Sequence, residues 1–465
     1  MFKMNNKMSF SLRKFTQAFL HIIQRIASAL LPSYIQLILR NEPSKPTKAS
    51  PTSYLNGFRG TMAFLVFVRH FSLPWQSDLD YGLGQGENHT GIFRLPILRI
   101  IYAGPYVPIF LIISGYVMSL KPLRLLNMDQ KEAFLASMIS SLFRRAIRIF
   151  PPPILSSFLF MLAVHFELFK FQYNTMDGFI PHHPDRLSTF FDQFIDWLQF
   201  VFGDLTNLWD WKMPKSVYGG HLWTIGLQFR CSMVVFLALI GLANTRKHAR
   251  QTILALLFVY CMFSGRWDVA LYLSGIFMAG TEAGIKDISA HTVIPSLDLE
   301  KGSLSSAAVR FRSRISWCVI LLAGLYLSSY PRARDGIGAP GYRVLYDINP
   351  SYFYWQGNGA IFLIWSLISS KTAQGLFNYS FPQYLGDISF SLYIVHEPLL
   401  HVLGYRMVNF AWRITGKEQV LQYQLGFFMA LLLMSPILLL TADIFHRIVD
   451  EPCADLGRWL ETKCK

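Results

Sequence analysis

The sequence predicts an all-α, polytopic membrane protein with about ten transmembrane helices, and three observations support this fold class. Of the 465 residues, 52% are hydrophobic and only 15% are charged, whereas about 25% of residues are charged in an ordinary soluble domain. Apolar windows of roughly 17–25 residues recur along the chain, each long enough to cross a hydrocarbon layer about 30 Å thick. Lys and Arg are concentrated in alternate connecting segments, as in proteins whose cytosolic loops are basic.

The predicted spans follow from the apolar windows in chain order. The fifth and sixth windows are short and nearly contiguous, so the boundary between them is the least well defined. The ten windows comprise residues 58–76, 98–120, 150–167, 219–243, 251–265, 267–285, 315–331, 351–370, 384–405 and 421–445. They divide the chain into an N-terminal segment (1–53), a transmembrane domain (54–446) and a C-terminal tail (447–465).

The distribution of positive charge predicts that both termini are cytosolic. With ten spans and an inner N-terminus, about 27 of the 43 Lys and Arg fall on the inner side and about 13 in the outer loops, as the positive-inside rule requires. The formal net charge of +15 is then explained by basic membrane flanks, and nucleic-acid binding is not indicated. All five cysteines fall in predicted spans or cytosolic segments, so no disulfide framework is expected.

The N-terminal segment is predicted to lie on the membrane surface. Between residues 15 and 31 the apolar side chains follow one helical face, while polar residues such as Arg25 interrupt any continuous apolar run. This pattern is typical of a helix in the cytosolic interface. The alternative, an eleventh span, would bury Arg25 and reverse the topology. Residues 41–53, rich in Pro, Ser and Thr, are interpreted as a linker.

A glycosylation sequon supports an outer location for the first loop. Asn88-His89-Thr90 matches the acceptor pattern, so Asn88 is predicted to be glycosylated. The predicted location is an endomembrane such as the endoplasmic reticulum, with the plasma membrane as the alternative.

The first span carries unexpected charges. In FRGTMAFLVFVRHF (58–71) the side chains of Arg59 and His70 lie on nearly the same helical face, eleven residues and about 16 Å apart. With Arg59 at the cytosolic boundary, His70 would lie near the middle of the bilayer, while Arg69 would point to a different side. An ionisable group at that depth usually faces a cavity or a partner inside the bundle and marks function. The alternative is a hydrogen-bonded core histidine without a catalytic role.

These features, with further motifs in the same order, resemble membrane-bound acyltransferase family 3, in particular its fungal branch. The resemblance covers roughly residues 54–455. Its motifs are the Arg-x10-His spacing, PIFLIISGYVMS (108–119), RRAIRIFPP (144–152), HLWTIGLQF (221–229), FPQYLGDISFSLYIVHEPLL (381–400) and the closing VDEP (449–452). The resemblance implies an O-acyltransferase that moves an acyl group, commonly acetyl, from acyl-coenzyme A to an acceptor hydroxyl.

The same resemblance implies that Arg59 and His70 are the catalytic pair. A neutral imidazole can accept the hydroxyl proton as a general base, which typically contributes about 10²–10⁴-fold to the rate. The alternative role for His70 is that of a nucleophile that forms an acyl-imidazole. Arg59 would orient the pyrophosphate or the pantetheine arm of the donor.

Arg145 and Arg148 match the Arg-x-x-Arg element of the family. Residues three apart share a helical face, and two guanidinium groups at a cytosolic helix end suit the phosphates of coenzyme A. The alternative is ordinary positive-inside flanking, which by itself predicts arginine at this location.

The HLWTIGLQF motif supplies predicted pocket or orienting residues and departs from the family. His221, Trp223 and Gln228 are assigned this role, together with His396 in the ninth span. The family usually has glutamate where Gln228 stands, and a neutral amide can only hydrogen-bond. Three interpretations follow: Gln imitates an orienting role, another acid such as Glu397 compensates, or catalysis is impaired.

The predicted partners are acyl-coenzyme A as co-substrate, a hydroxylated small molecule and the lipid bilayer. The acceptor could be a secondary metabolite, such as a terpenoid or polyketide alcohol, or a carbohydrate. No bound cofactor is expected. No metal is expected either, because adjacent histidines such as His182-His183 lack the further ligands that a metal site needs at suitable spacing. The competing function is a secondary transporter, against which stand the lack of an internal repeat and the scarcity of acids within the spans.

Overall fold

The computed structural model describes most of the predicted transmembrane domain and the C-terminal tail. It covers residues 50–76, 80–83, 94–171, 176, 178–209, 217–291, 303–332 and 341–464. The predicted interfacial helix at 15–31 and the sequon at Asn88 lie outside the described residues, so both stay predictions.

The described part of the chain is all-helical and contains no β-strand, which confirms the all-α part of the predicted fold class. Two short helices, Ile100–Ala103 and Tyr342–Ile348, lie in the segments that connect longer helices. The labelled helices are α1 Ser53–Ser72, α2 Tyr106–Asn127, α3 Lys131–Ile149, α4 Pro151–His165, α5 Phe190–Phe200, α6 Trp223–Gly241, α7 Lys247–Phe263, α8 Trp267–His291, α9 Ser303–Ser328, α10 Tyr352–Ser369, α11 Lys371–Phe377, α12 Ser380–Asp387, α13 Ser389–Leu399, α14 Tyr405–Thr415, α15 Val420–Phe445 and α16 Glu451–Cys464.

Several helices are long and apolar enough to cross a membrane. By length and composition the described residues contain four such helices, or five if the pair α10–α11, bent by 100°, forms one broken span. The four are Tyr106–Asn127, Lys131–His165, Gly220–Gly241 and Val420–Cys464. Helices overlap all ten predicted windows, but the count of ten spans and the orientation of the termini stay predictions.

Two glycines allow the backbones of α2 and α8 to pack in close contact. A Cβ atom added to Gly115 would lie 2.3 Å from the carbonyl oxygen of Tyr272, and one added to Gly275 would lie 2.3 Å from that of Ile112. No side chain fits at either position, so the two backbones are in direct contact, as is common between membrane helices. Gly115 therefore serves helix packing, and α2 and α8 form the most extensive helix pair of the described residues.

A second close contact anchors α1 to α12. A Cβ atom on Gly60 would lie 2.1 Å from the backbone nitrogen of Gly386. The Asn56 side chain donates to the Asp387 carboxylate at 2.9 Å across the same contact. These contacts hold the N-terminal half of α1, the helix that carries His70 near its C-terminal end.

The helix that carries His396 is interrupted just beyond it. Pro398 lacks an N–H group, so it cannot donate to the carbonyl oxygen of Ile394, four residues earlier. The π-helical turn Leu400–Gly404 follows, and such turns are frequent at functional sites. The predicted span 384–405 is thus a helix with a local break, and the break exposes a backbone carbonyl inside the bundle.

Candidate active site

A chain of hydrogen bonds connects His396 and His70. Nδ1 of His396 lies 2.6 Å from the carbonyl oxygen of Tyr393, and a carbonyl can only accept, so this nitrogen carries a hydrogen. Nε2 of His396 lies 2.8 Å from Nδ1 of His70. In neutral His396 this Nε2 accepts, so His70 donates from Nδ1. The tautomer of His70 is therefore set by His396.

The second ring nitrogen of His70 has no hydrogen-bond partner among the described residues, and the residue lines a cavity. With the hydrogen on Nδ1, Nε2 of neutral His70 keeps its lone pair, and no described residue forms a hydrogen bond with it. His70 is half-buried and lines a cavity of about 420 Å³. The residue lies two positions before the end of α1, and its depth in the bilayer stays a prediction. The arrangement presents a proton acceptor to the cavity.

A carboxylate is bound by a backbone cradle beside these histidines. Oε1 of Glu397 accepts from the backbone N–H of Gly220 at 2.8 Å, and Oε2 accepts from the backbone N–H of His221 at 2.9 Å. A Cβ atom on Gly220 would lie 3.0 Å from Oε1, and Gly219 has φ of +120°, a conformation that favours glycine. The Gly219-Gly220 pair therefore allows the backbone to approach the carboxylate.

His221 makes hydrogen bonds with both ring nitrogens. Nδ1 lies 2.5 Å from Oε2 of Glu397, and Nε2 lies 3.2 Å from the carbonyl oxygen of Ile394, the group that Pro398 leaves without its helical donor. Both partners are acceptors, and only the imidazolium form donates from both nitrogens. The geometry therefore favours a His221 imidazolium paired with the Glu397 carboxylate, a charge pair that is almost completely buried.

Aromatic and cationic side chains form the rest of the cavity wall. Arg69 pairs with Asp80 at 2.6 Å and donates to the carbonyl oxygen of Tyr102 at 3.1 Å. Arg332 also lines the cavity, with its guanidinium carbon 5.3 Å from the centre of the Tyr352 ring. The aromatic lining residues are Tyr106, Phe179, Trp223, Tyr352, Phe353, Tyr393 and Tyr405. The cavity can thus hold a compact molecule with an apolar body and several oxygen atoms.

Arg59, the second predicted catalytic residue, lies away from this cavity. Its Nη2 donates to Oδ1 of Asn56 at 2.8 Å and to the carbonyl oxygen of Gly386 at 3.0 Å. Its Nε is buried and has no hydrogen-bond partner in the described part of the chain. Arg148 is close enough for electrostatic repulsion. The structure therefore brings Arg59 near Arg148, about 16 Å along α1 from His70.

The two arginines of the Arg-x-x-Arg element have different surroundings. Arg145 is half-buried, and its Nε donates to Oγ of Ser232 in α6 at 3.0 Å. Arg148 is exposed at the C-terminal end of α3. Both arginines lie on α3, as the sequence predicts, but only Arg145 reaches into the bundle.

The remaining predicted pocket residues separate into two groups. Trp223 and His221 line the cavity, whereas Gln228 does not. The backbone carbonyl of Gln228 accepts from Ser232 and Tyr272, and its side-chain amide makes no hydrogen bond with any described residue. Of the three interpretations of this position, the geometry favours compensation by another acid, since Glu397 supplies a carboxylate to the site.

Three donor groups of the site approach the spacing of a metal centre. The ligand atoms of His70, His396 and Glu397 lie within 4.8 Å of one another. Two imidazoles on one tetrahedral zinc, with Zn–N distances of about 2.0–2.1 Å, place their nitrogens about 3.4 Å apart, but these two nitrogens are 2.8 Å apart. All the oxygens of Glu397 already accept hydrogen bonds. The residues fit a hydrogen-bonded cluster better than a metal site, and the absence of a metal stays a prediction.

Several residues of the site were missed or misplaced by sequence reasoning. Arg69 was predicted to point away from His70, yet it lines the same cavity. Asp80 and Tyr393 were not singled out. The sequence did contain two relevant signals. Asp80 is an acid shortly after a span that carries arginine, and Gly219-Gly220 before His221 indicates a special backbone conformation.

Comparison with known proteins gives a consistent picture. A family model described as an acyltransferase domain matches residues 52–441. O-acetyltransferase PaAT-1 of Phomopsis amygdali is 27% identical over 428 residues, which cover 88% of this chain and 84% of that protein. Acyltransferase R4 of a Phoma species is 25% identical, with coverage of 88% and 95%, and acyltransferase clz18 of Cochliobolus lunatus is 26% identical, with coverage of 88% and 96%. No solved structure gives a significant match.

Proposed function

Because the chain belongs to membrane-bound acyltransferase family 3, we propose that it moves an acyl group from acyl-coenzyme A to a hydroxyl of a small molecule held beside His70. The family and the relatives make the chain an acyltransferase. The proposal concerns the donor, the acceptor and the residues that carry the reaction. The observation that supports it most is the hydrogen-bond chain from Tyr393 through His396 to His70, a residue that lines the cavity and whose Nε2 keeps its lone pair.

The proposed chemistry is general base catalysis. The acceptor hydroxyl gives its proton to Nε2 of His70 while its oxygen attacks the thioester carbonyl carbon. The new C–O bond forms, the C–S bond breaks, and the coenzyme A thiolate takes the proton from the His70 imidazolium. His396 stabilises that imidazolium, because it accepts the hydrogen on Nδ1 of His70. Proton and electron pairs balance within these groups, so the reaction requires no bound cofactor.

We assign the donor phosphates to the other end of α1. The Nε atom of Arg59 is buried without a partner among the described residues, and Arg148 adds a second positive charge close by. A phosphate oxygen would satisfy this nitrogen and relieve the repulsion between the two guanidinium groups. The pantetheine arm would then extend over about 16 Å to His70. This assignment requires that the N-terminal end of α1 faces the cytosol, as the charge distribution predicts.

The shape of the cavity supports a compact acceptor. Its volume of about 420 Å³ falls within the range of about 300–1,000 Å³ that is common for small-molecule sites. The aromatic wall suits an apolar ring body, while Arg69 and Arg332 can donate to acceptor oxygens. We therefore favour a hydroxylated secondary metabolite, such as a terpenoid or polyketide alcohol, over a carbohydrate. One relative is named an O-acetyltransferase, which supports acetyl as the acyl group.

Acyl transfer by the full chain in isolated membranes tests this function. Membranes that contain the protein are given radiolabelled acetyl-coenzyme A and a panel of terpenoid, polyketide and sugar alcohols. We expect labelled ester with the wild type and with His248→Ala, an exposed histidine in α7, and loss of at least about 10²-fold with His70→Ala. Wild-type transfer by His70→Ala would refute the site, and transport of unmodified solute without ester formation would favour the transporter.

A further inference from the structure

A second pocket lies at the opposite end of the bundle from His70. It has a volume of about 380 Å³ and is formed where α2 ends, where α6 connects to α7 and where α3 begins. The helix α2 runs from Tyr106, on the wall of the His70 cavity, to Asn127, on the wall of this second pocket. The two sites are therefore separated by about 30 Å along the helix.

The second pocket is strongly cationic. Four basic side chains and a single acid, Asp129, lie on its wall. The basic residues are Lys131, Arg246, Lys247 and Arg250. Such a concentration of guanidinium and ammonium groups in one concave surface attracts anions.

Arg250 distinguishes this pocket from an ordinary basic membrane flank. The residue is only 5% exposed, and its guanidinium makes one hydrogen bond with the described residues, from Nη2 to Oδ1 of Asn127 at 3.0 Å. No carboxylate forms an ion pair with it among the described residues. Arginine is rarely buried unless it is paired, and a guanidinium has five donors. Because Arg250 lines the pocket, its remaining donors can bind an anion there.

We propose that this pocket binds a phosphate group. The planar fork of a guanidinium matches two phosphate oxygens, and the three other cations can neutralise the remaining charge. A carboxylate would satisfy Arg250 alone, but it would leave the excess charge of the wall uncompensated. A phosphate monoester or diester fits both features.

The surroundings of the pocket favour a phospholipid headgroup as the source of that phosphate. Leu135 and Ile139 in α3, and Leu256 and Tyr260 in α7, are exposed apolar side chains on the two helices that border the pocket. These faces suit acyl chains, so a lipid could place its tails there and its phosphate beside Arg250. With the N-terminus in the cytosol, the pocket opens in the leaflet that holds anionic lipids. The alternative source of a phosphate group for this pocket is coenzyme A.

Lipid retention measured by native mass spectrometry tests the proposal. The full chain is purified from nanodiscs of phosphatidylcholine that contain phosphatidylserine, and the lipids bound to each variant are counted. We expect Arg250→Gln to reduce phosphatidylserine retention about tenfold or more, because a charge-assisted hydrogen-bonded contact is lost. The matched control is Lys121→Ala, an exposed cation of α2 outside the pocket, which should retain lipid as the wild type does.

A second variant covers the case in which Arg250→Gln fails to fold. Arg246→Glu reverses an exposed charge on the pocket wall and should reduce retention without affecting folding. Excess coenzyme A and excess inorganic phosphate are added in separate experiments. Displacement of the lipid by coenzyme A but not by inorganic phosphate would assign the pocket to the phosphates of the donor. Wild-type retention by Arg246→Glu, with no competition from any phosphate compound, would overturn the proposal.

Discussion

Replacement of His396 perturbs the site at two defined hydrogen bonds. His396 is completely buried and does not line the His70 cavity, so it acts on the reaction only through His70. In His396→Ala, the hydrogen on Nδ1 of His70 loses its partner, and the carbonyl oxygen of Tyr393 loses the hydrogen bond from Nδ1 of His396. His70 can then carry its proton on either nitrogen, and its ring is no longer held toward the cavity.

The expected loss of activity follows from these two broken contacts. An unsatisfied buried donor or acceptor costs about 1–3 kcal/mol, which corresponds to a rate reduction of about 5- to 150-fold if it is felt in the transition state. The loss should appear in kcat, with KM for acceptor and donor almost unchanged, because His396 does not contact either. Removal of the base itself in His70→Ala should cost more, up to about 10⁴-fold.

The conservative variant His396→Gln makes this prediction sharp. A glutamine amide can donate to the carbonyl oxygen of Tyr393 and accept from Nδ1 of His70, so it should recover part of the activity that His396→Ala loses. The assay is steady-state transfer of labelled acyl groups by purified protein, with variants matched for folded content. Equal activity of His396→Ala and wild type, or no difference between His396→Gln and His396→Ala, would refute the reasoning.

Three further predictions test the surroundings of the site. Glu397→Ala should lower the thermal unfolding midpoint in detergent, because loss of one partner from a buried ion pair typically costs about 3–5 kcal/mol, and an unchanged midpoint would contradict the pairing with His221. Gln228→Glu, which restores the usual family residue, should leave kcat within about twofold, because the side chain does not line the cavity; a large gain would favour the orienting role. Gly115→Val should reduce the yield of folded protein, since a side chain there collides with Tyr272, whereas Gly241→Val, with open space around its Cβ position, is the control and should fold normally.

The helices of this protein were largely predictable because each long apolar window leaves the backbone little choice in a membrane. The beginning of the third span was also readable, since Pro151 is favoured in the first turn of a helix and α4 begins there. The break after His396 was harder to predict. Pro398 was visible in the sequence, but only the three-dimensional contact shows that the freed carbonyl of Ile394 is used by His221.

The site was predictable only within single helices. The placement of His70 on a helix with Arg59 followed from their spacing, but the contact of His70 with His396 joins residues 326 positions apart, and that of His221 with Glu397 joins residues 176 apart. Periodicity contains no information about such pairs. Arg69 was misjudged because its long side chain, near the end of α1, reaches Asp80 outside the helical face that its backbone position suggests.

The central claim is tested most directly by a structure of the protein with an acceptor and a non-hydrolysable acyl-coenzyme A analogue. The quantity to measure is the distance between the acceptor oxygen and Nε2 of His70. We predict that the reacting hydroxyl lies within about 2.6–3.2 Å of this nitrogen, with Nδ1 still hydrogen-bonded to His396. A complex in which the acceptor binds in another cavity, or in which Nε2 of His70 is bonded to a protein group and the hydroxyl faces a different base, would contradict the account.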